Sequence, residues 1–312
     1  MKNKTALVFG GSGQDGTFLI ALLVSKGYEV YSVSRSNGIP ANHAKLNLSN
    51  INYIVLDYSQ QHSFNEIIKN LKPELVFNLS GESSVSKSFG DIYNSFNSNV
   101  NISLYILEAI RNYSESSRLF IACSSESFQP DLKGIIDETS PLNPKSPYAT
   151  SKACNFLIAR EYRKNNGLFI SNGILFNHES YLRPSTFVVM KIMHYIVKGD
   201  FKSKLQLGNI NIIRDWGLAI EYVKAIFTII IHDKPDDFCI CTGKGTSLKE
   251  LLKIAFELKS LNWEEHVDFD NQLLRPEEHE KIIGNPAKIN HDLGWHALSN
   301  VYDIVGSIYE KI

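Results

Sequence analysis

The stretch Thr5-Ala-Leu-Val-Phe9-Gly10-Gly-Ser-Gly13-Gln-Asp-Gly16 decides the fold. A short β-rich apolar run enters a turn with glycines three apart, and residues 17–26 then follow a helical pattern that closes at Gly27. Strand, glycine turn and helix in that order suit a bound dinucleotide. Gly10 permits the sharp turn, Gly13 lets the backbone approach a pyrophosphate, and Gly16 lets the helix pack closely on the strand. The helix start adds free N–H groups and a positive dipole. Glycines alone would describe an ordinary surface turn; the strand before and the helix after make the dinucleotide reading the stronger.

Outward from this unit, residues 30–33, 53–56, 75–79, 119–123 and 168–176 read as further strands, with helical patterns over 63–71 and 102–111 between them. Alternation of this kind predicts an α/β fold: a Rossmann-type doubly wound parallel sheet with crossover helices. Beyond Phe176 the pattern loosens into a polar turn over 177–185, a helix over 187–197, a strand over 204–207, a helix over 216–230 and a strand over 238–241. The expected division is a dinucleotide-binding domain over 1–175, also recruiting parts of 208–242, and a smaller α/β lobe over 176–312 that binds substrate.

Composition narrows the partners. With 32 Lys+Arg against 33 Asp+Glu, the net charge of −1 leaves no surplus to neutralise a nucleic-acid backbone, so any bound phosphate must be met locally. The apolar run at 225–231 is too short to span a bilayer, and the one at 6–9 ends in glycines, unlike a signal peptide. A cytoplasmic protein with no membrane and no nucleic-acid partner is expected. Cys123, Cys154, Cys239 and Cys241 form no CxxC pair, and the nine histidines show no ligand spacing, so neither disulfides nor a metal is expected.

The second strand ends Ser34-Arg35-Ser36, without the acid that would accept from a ribose 2′-hydroxyl. A guanidinium between hydroxyl side chains suits a 2′-phosphate instead, which favours NADP; if Arg35 only solvates its loop, NAD can still bind. Asp57, after the third strand, either borders the adenine or caps a helix. Further along, Ser146-Pro-Tyr148-Ala-Thr-Ser-Lys152 opens a helix with Tyr and Lys at i and i+4 on one face. A free tyrosine titrates near ~10, and an ammonium one turn away, with a positive nicotinamide, would stabilise its phenolate. Ser124 and Glu126 stand at the carboxyl end of the fifth strand, where ligands of such sheets bind. Ser124 can hydrogen-bond a hydroxyl undergoing oxidation. Glu126 reads equally well as a turn residue or as a base for a carbon-bound proton, which a simple alcohol dehydrogenase does not need.

These residues carry a resemblance over nearly the whole chain: it is similar to the GDP-mannose 4,6-dehydratases, within the extended short-chain dehydrogenase/reductase group. The carrying stretches are the glycine turn, Ser124-Ser-Glu126, Ser146-Pro-Tyr-Ala149 with Lys152, Gly173-Ile-Leu-Phe-Asn-His-Glu-Ser180, Leu207-Gly-Asn209, Arg214-Asp-Trp216, and Arg275-Pro276 with Glu278. The resemblance implies that Tyr148 takes the proton of the sugar 4-hydroxyl as C4 is oxidised, and that Glu126 removes the C5 proton. Water then leaves from C6 and the stored hydride returns there, giving a GDP-4-keto-6-deoxyhexose. It extends the cofactor contacts to Gln14 and Asp15. It places Asn177, Lys191, Arg214 and Arg275 on the GDP moiety, the two arginines on its diphosphate, with Glu278 near the ribose and Ser83 and Ser84 on the sugar. A homodimer or homotetramer is implied. The rival readings are a GDP-sugar C4 oxidoreductase or epimerase without dehydration, and a dinucleotide-binding regulator without turnover; the Ser124, Tyr148 and Lys152 set argues against the regulator.

The chain departs from the family pattern in places. Glu82 replaces a glutamine close to the expected sugar, which bears on the identity of the hexose. Met190 replaces an arginine, Tyr181-Leu-Arg-Pro184 replaces a more basic turn, and residues 37–45 are shorter than an arginine-rich loop that reaches a neighbouring subunit, leaving the tetramer open. Phe128 replaces a tyrosine, and the lost hydroxyl is expected at the edge of the site. His178 reads as a structural hydrogen-bonder, and Trp216, Trp263 and Trp295 as packing aromatics.

Overall fold

The computed structural model describes residues 4–312. Seven strands form one sheet: β1 (Thr5–Phe9), β2 (Glu29–Ser34), β3 (Ile51–Val55), β4 (Leu75–Asn78), β5 (Arg118–Ser124), β7 (Ile170–Leu175) and β11 (Asp237–Ile240). Their order is β11-β7-β5-β4-β1-β2-β3, with every neighbouring pair parallel. The chain turns back between β1 and β4, so a crevice opens at the carboxyl ends of those strands. Central strands are apolar on both faces because helices cover both: Ala6–Phe9, Leu75–Phe77 and Leu119–Phe120 are fully buried, whereas edge strand β3 exposes Tyr53 and Val55.

The helices of this half are α1 (Gln14–Ser25), α2 (Ala41–Lys45), α3 (Gln61–Leu71), α4 (Val85–Gly90), α5 (Ile92–Phe96), α6 (Ile102–Tyr113) and α7 (Pro147–Asn166). A turn of wider π-type helix, Asn97–Asn101, joins α5 to α6. Sequence periodicity misses α4, α5 and this turn: they are short, rich in Ser and Asn, and started by side-chain caps from Ser84 and Asp91 rather than by a long apolar stripe. By contrast α7 begins as its sequence predicts, with Ser146 accepting from Ala149 N at 3.1 Å, Pro147 at the first position, and Gly167 closing it at φ +67°.

The second half adds β8 (Asn177–Glu179), α8 (Val188–Lys198), β9 (Leu205–Leu207), β10 (Ile213–Leu218), α9 (Ala219–Ile231), β12 (Gly245–Ser247), α10 (Leu248–Glu257), α11 (Trp263–His266), β13 (Val267–Phe269), β14 (Lys281–Gly284), α12 (Ala287–Leu293) and α13 (Val301–Tyr309). A small sheet runs β12-β10-β14-β6, where β6 is Ile135–Ile136, and β8 also pairs with β10; β9 and β13 form a separate pair. Two expectations are corrected here. Residues 177–179 are a strand paired with Trp216–Leu218, not a turn, and Trp216 belongs to β10, with α9 starting at Ala219. The apolar run continues across that boundary and Leu218 provides no polar cap, so the sequence shows no break.

Two hydrophobic cores result. One surrounds the seven-stranded sheet and includes α9 and β11 from the second half; the other, from Val189 to Ile308, unites α8, α10 and α13. No helix among the described residues is long and apolar enough to cross a membrane.

Candidate active site

The glycine turn forms the floor of the crevice. Gly10 adopts φ +80°, and a Cβ there would lie 2.7 Å from the Leu79 backbone; a Cβ on Gly16 would lie 2.3 Å from the Gly10 carbonyl. Only glycine fits either position without moving backbone. Gly13 caps α1 without a side-chain bond, so the first N–H groups of α1 receive none from their own cap. Beside the turn, a cavity of about 290 Å³ is lined by Ser12, Ser34, Ser36 and Asn42 among others, and none of its lining residues is acidic. Arg35 is exposed next to it. His43, buried, bonds Gly11 O at 2.8 Å and Tyr53 Oη at 3.0 Å, locking α2 against the turn. Asp57 is solvent-exposed and accepts from Ser59 N and Oγ at 2.9 and 2.7 Å; it shapes the turn before α3, whose cap is Gln60, so it is not the helix cap.

The side chains of Gln14 and Asp15 face β8. Ser180 Oγ donates to Gln14 Oε1 at 2.8 Å, and His178 Nε2 meets Asp15 Oδ2 at 2.9 Å while its Nδ1 meets Phe176 O at 2.7 Å. With acceptors at both ring nitrogens, His178 is placed to donate twice. Burial opposes its charge, yet the Asp15 carboxylate prevails and holds its pKa above the ordinary 6.5; the same pairing overrides burial at Asp15 and holds its carboxyl below 3.8. Arg183, which sequence reading did not single out, joins this group by donating to His178 O, pairing with Glu179 at 3.3 Å and covering the Phe187 ring at 4.0 Å. It lies in a turn with no helical or strand signal, and only proximity in space reveals it.

The chemistry-bearing residues meet above β5. Ser124 ends the strand and its Oγ accepts from Glu126 N at 3.3 Å; Ser127 Oγ donates to Ala149 O at 3.0 Å, fastening the turn to α7. Tyr148 is partly exposed and stands beside Ser124. Desolvation pushes its phenol up to about 12; the neighbouring Ser124 hydroxyl opposes this and the charge of Glu126 adds to it. The expected help from Lys152 differs in geometry. Its buried ammonium donates to Ala122 O at 3.0 Å and stands 6.0 Å from the Tyr148 ring centre, so the protein by itself keeps Tyr148 protonated.

Glu126 has a second set of neighbours. Its Oε1 is 3.9 Å from both Arg214 Nε and Arg275 Nη1, and Glu278 Oε1 is 3.3 Å from Arg214 Nη2 and 2.9 Å from Arg275 Nη1. Arg214 is 2 % exposed. Its Nη1 donates to Ile213 O at 3.0 Å and His279 O at 2.9 Å, which fixes the guanidinium plane. Asp215 beside it serves the scaffold: it accepts from Thr242 N and Oγ1, Gly243 N and Gly284 N, tying β10 to the ends of β11 and β14. Trp216 Nε1 donates to Thr246 O at 3.0 Å.

The remaining candidates are dispersed. Asn177 begins β8. Lys191, on α8, gives its ammonium to Gln206 O at 2.6 Å. Ser83 and Ser84 donate their N–H groups to Glu82 Oε1 at 2.9 and 2.8 Å, and Ser84 Oγ caps α4. Glu82 therefore spends one oxygen on its own loop. Asn99, in the π-type turn, donates to Glu82 O at 3.3 Å and Ser95 O at 2.8 Å and so holds that loop; the sequence reading passed over it. Met190 is buried in the second core, where a cation would lack water. Phe128 is fully buried, edge-on to Phe156 at 5.1 Å.

Comparison with known proteins accords with this arrangement. The family described as GDP-mannose 4,6 dehydratase matches residues 7–307. GDP-mannose 4,6 dehydratase 1 of Arabidopsis thaliana is 36 % identical over 307 residues, covering 94 % of this chain and 85 % of that protein. GDP-mannose 4,6 dehydratase 2 of Caenorhabditis elegans is 34 % identical, covering 97 % and 87 %. Among solved structures, DesIV, a dTDP-glucose 4,6-dehydratase from Streptomyces venezuelae with NAD and TYD bound, superposes with a TM-score of 0.89 at 20 % identity, covering 98 % and 96 %. UDP-glucose 4-epimerase from Thermotoga maritima gives 0.88 at 21 % identity and 98 % of both chains; at such identity these two speak for the fold alone. The chain belongs to the GDP-mannose 4,6-dehydratase family and is a hydro-lyase on a Rossmann-type fold.

Proposed function

We propose that the chain converts a GDP-hexose into a GDP-4-keto-6-deoxyhexose with NADP as a resident cofactor. The observation that carries this reading is Glu126: a carboxylate at the carboxyl edge of β5, close enough to Tyr148 to influence its ionisation and within 3.9 Å of two arginines. A hydroxyl-oxidising site needs Ser124 and Tyr148; a carboxylate beside them serves removal of a carbon-bound proton. The uncapped start of α1, the glycine floor and the acid-free cavity next to Arg35 fit a dinucleotide carrying a 2′-phosphate. When bound, that dinucleotide supplies a reversible two-electron store.

In this reading Ser124 holds the sugar 4-hydroxyl and Tyr148 takes its proton, its phenol brought down from about 12 by the positive nicotinamide. Glu126 removes the C5 proton, acidified by the C4 ketone, and the C6 hydroxyl takes up a proton and leaves as water; return of the stored hydride to C6 is then balanced by a solvent-derived proton at C5. Arg214 and Arg275 neutralise the diphosphate, Glu278 reads the ribose, and Asn177 and Lys191 border the nucleotide. Residues 1–175, with α9 and β11, form the cofactor side and 176–312 mainly the sugar-nucleotide side. Ile92, Tyr93 and Leu157 are exposed apolar residues on α5 and α7, which pack together; we assign this face to a homodimer, and Tyr93→Asp should yield a monomer by light scattering. A cytoplasmic location goes with the reading.

Incubation of the purified protein with GDP-mannose and other GDP-hexoses tests the reaction. Mass spectrometry should show a product lighter by one water with no net cofactor turnover. A product lighter by two hydrogens, with reduced cofactor accumulating, would instead establish a C4 oxidoreductase.

A further inference from the structure

Every guanidinium nitrogen of Arg214 already faces a protein acceptor. Its Nη1 is held by the Ile213 and His279 carbonyls, Nη2 faces Glu278 and Nε faces Glu126. Burial and the two backbone bonds prevent the side chain from turning toward a new partner. Arg275, a third exposed, lies on the same two carboxylates. Two cations and two anions already sum to zero, so a diphosphate arriving with both carboxylates in place would set four negative charges against two positive ones.

Resting on the reading that these arginines bind the diphosphate, we propose that Glu278 is its internal stand-in: one carboxylate oxygen bridges both arginines in the free protein and must leave for the nucleotide to bind. Glu278 is the member that leaves because it occupies the fork most closely, at 2.9 and 3.3 Å, whereas Glu126 stands back at 3.9 Å and is required for proton removal. The displaced carboxylate is an acceptor without partners, and the ribose hydroxyls of the same ligand are the donors that can satisfy it. Displacement and ribose recognition are thereby one event. A diphosphate lacking a ribose bears the cost of exchange without this compensation, so the exchange selects ribonucleotides over bare phosphates.

Calorimetric titration of the holoenzyme with inorganic pyrophosphate, GDP and 2′-deoxy-GDP tests the exchange. Glu278→Gln keeps the shape and removes the competing charge. It should bind pyrophosphate about tenfold tighter than the parent and lose several-fold of the preference for GDP over 2′-deoxy-GDP. Unchanged or weaker pyrophosphate binding by the folded variant overturns the proposal. Should that variant fail to fold, Glu278→Asp, which draws the charge back by one methylene, should give a smaller gain in the same direction, and no gain is equally fatal. Arg275→Gln separates the two levels: weaker binding of both pyrophosphate and GDP upholds the diphosphate reading even where the exchange fails. Indifference to that change removes both.

Discussion

The two sides of the crevice are built in opposite ways. On the side proposed for the cofactor, a dozen consecutive residues make the strand, turn and helix start, and the polar side chains of that helix start are fixed on the segment after β7: Asp15 on His178, and Gln14 on Ser180. On the substrate side, Glu126, Arg214, Arg275 and Glu278 come from three distant segments and meet as an alternating ring of charges, with little water around Arg214. The first side is a preformed cradle of backbone and hydroxyls. The second is an electrostatic balance that a doubly charged ligand would disturb, and in the proposed function the base, the phosphate anchors and the ribose reader are parts of one cluster.

This contrast can be broken at either side. Glu126→Gln should have the largest effect, slowing product formation roughly a thousandfold while leaving cofactor binding unaltered, as measured by turnover and by dinucleotide titration. A comparable loss of cofactor affinity would show that the two sides are not separable. Arg35→Ala should weaken NADP by about ten- to a hundredfold and spare NAD and GDP, a difference that fluorescence titration reads directly; equal losses for both dinucleotides would remove Arg35 from the 2′-phosphate. The smallest effect concerns the junction. His178 is raised above 6.5, so its charged contribution to stability is complete below that value and fades as pH rises through its folded pKa. Asp15 is lowered below 3.8, so its contribution is complete above that value and fades as pH falls through its folded pKa. His178→Gln should therefore cost about 2 kcal/mol below pH 6.5 and less as pH rises through the folded pKa in denaturant unfolding; a loss independent of pH would mean that packing on Tyr222 matters and the charge does not.

The same contrast explains what the sequence disclosed. A dinucleotide turn is contiguous, so Gly10, Gly13 and Gly16 declare themselves between a strand and a helix. Tyr148 and Lys152 are one helical turn apart behind a Ser-Pro start, and the helix forms where that start predicts. The charge ring has no such local signature: spacing alone made Arg214 and Arg275 ordinary ion-pair partners, and only the family resemblance singled them out. Their contact with Glu126 has no sequence signal, because β10 and the segment after β13 approach the end of β5 in space and not through neighbouring sequence. The expected phenolate stabilisation by Lys152 rested on helical spacing, which fixes the face but not the direction of a long side chain; the Ala122 carbonyl took the ammonium. At Trp216 the strand and the following helix join without a polar residue, so the apolar pattern reads as one helix.

Proton removal from carbon by Glu126 is the central claim, and reaction in deuterium oxide tests it most directly. With GDP-mannose, or whichever GDP-hexose is turned over, the 4-keto-6-deoxy product should contain solvent deuterium at C5 by NMR. With Glu126→Gln, the C5 proton of recovered sugar should stay unexchanged while the C4 ketone still forms. Deuterium entering C5 at the parental rate in that variant would contradict the account and assign the base to another group.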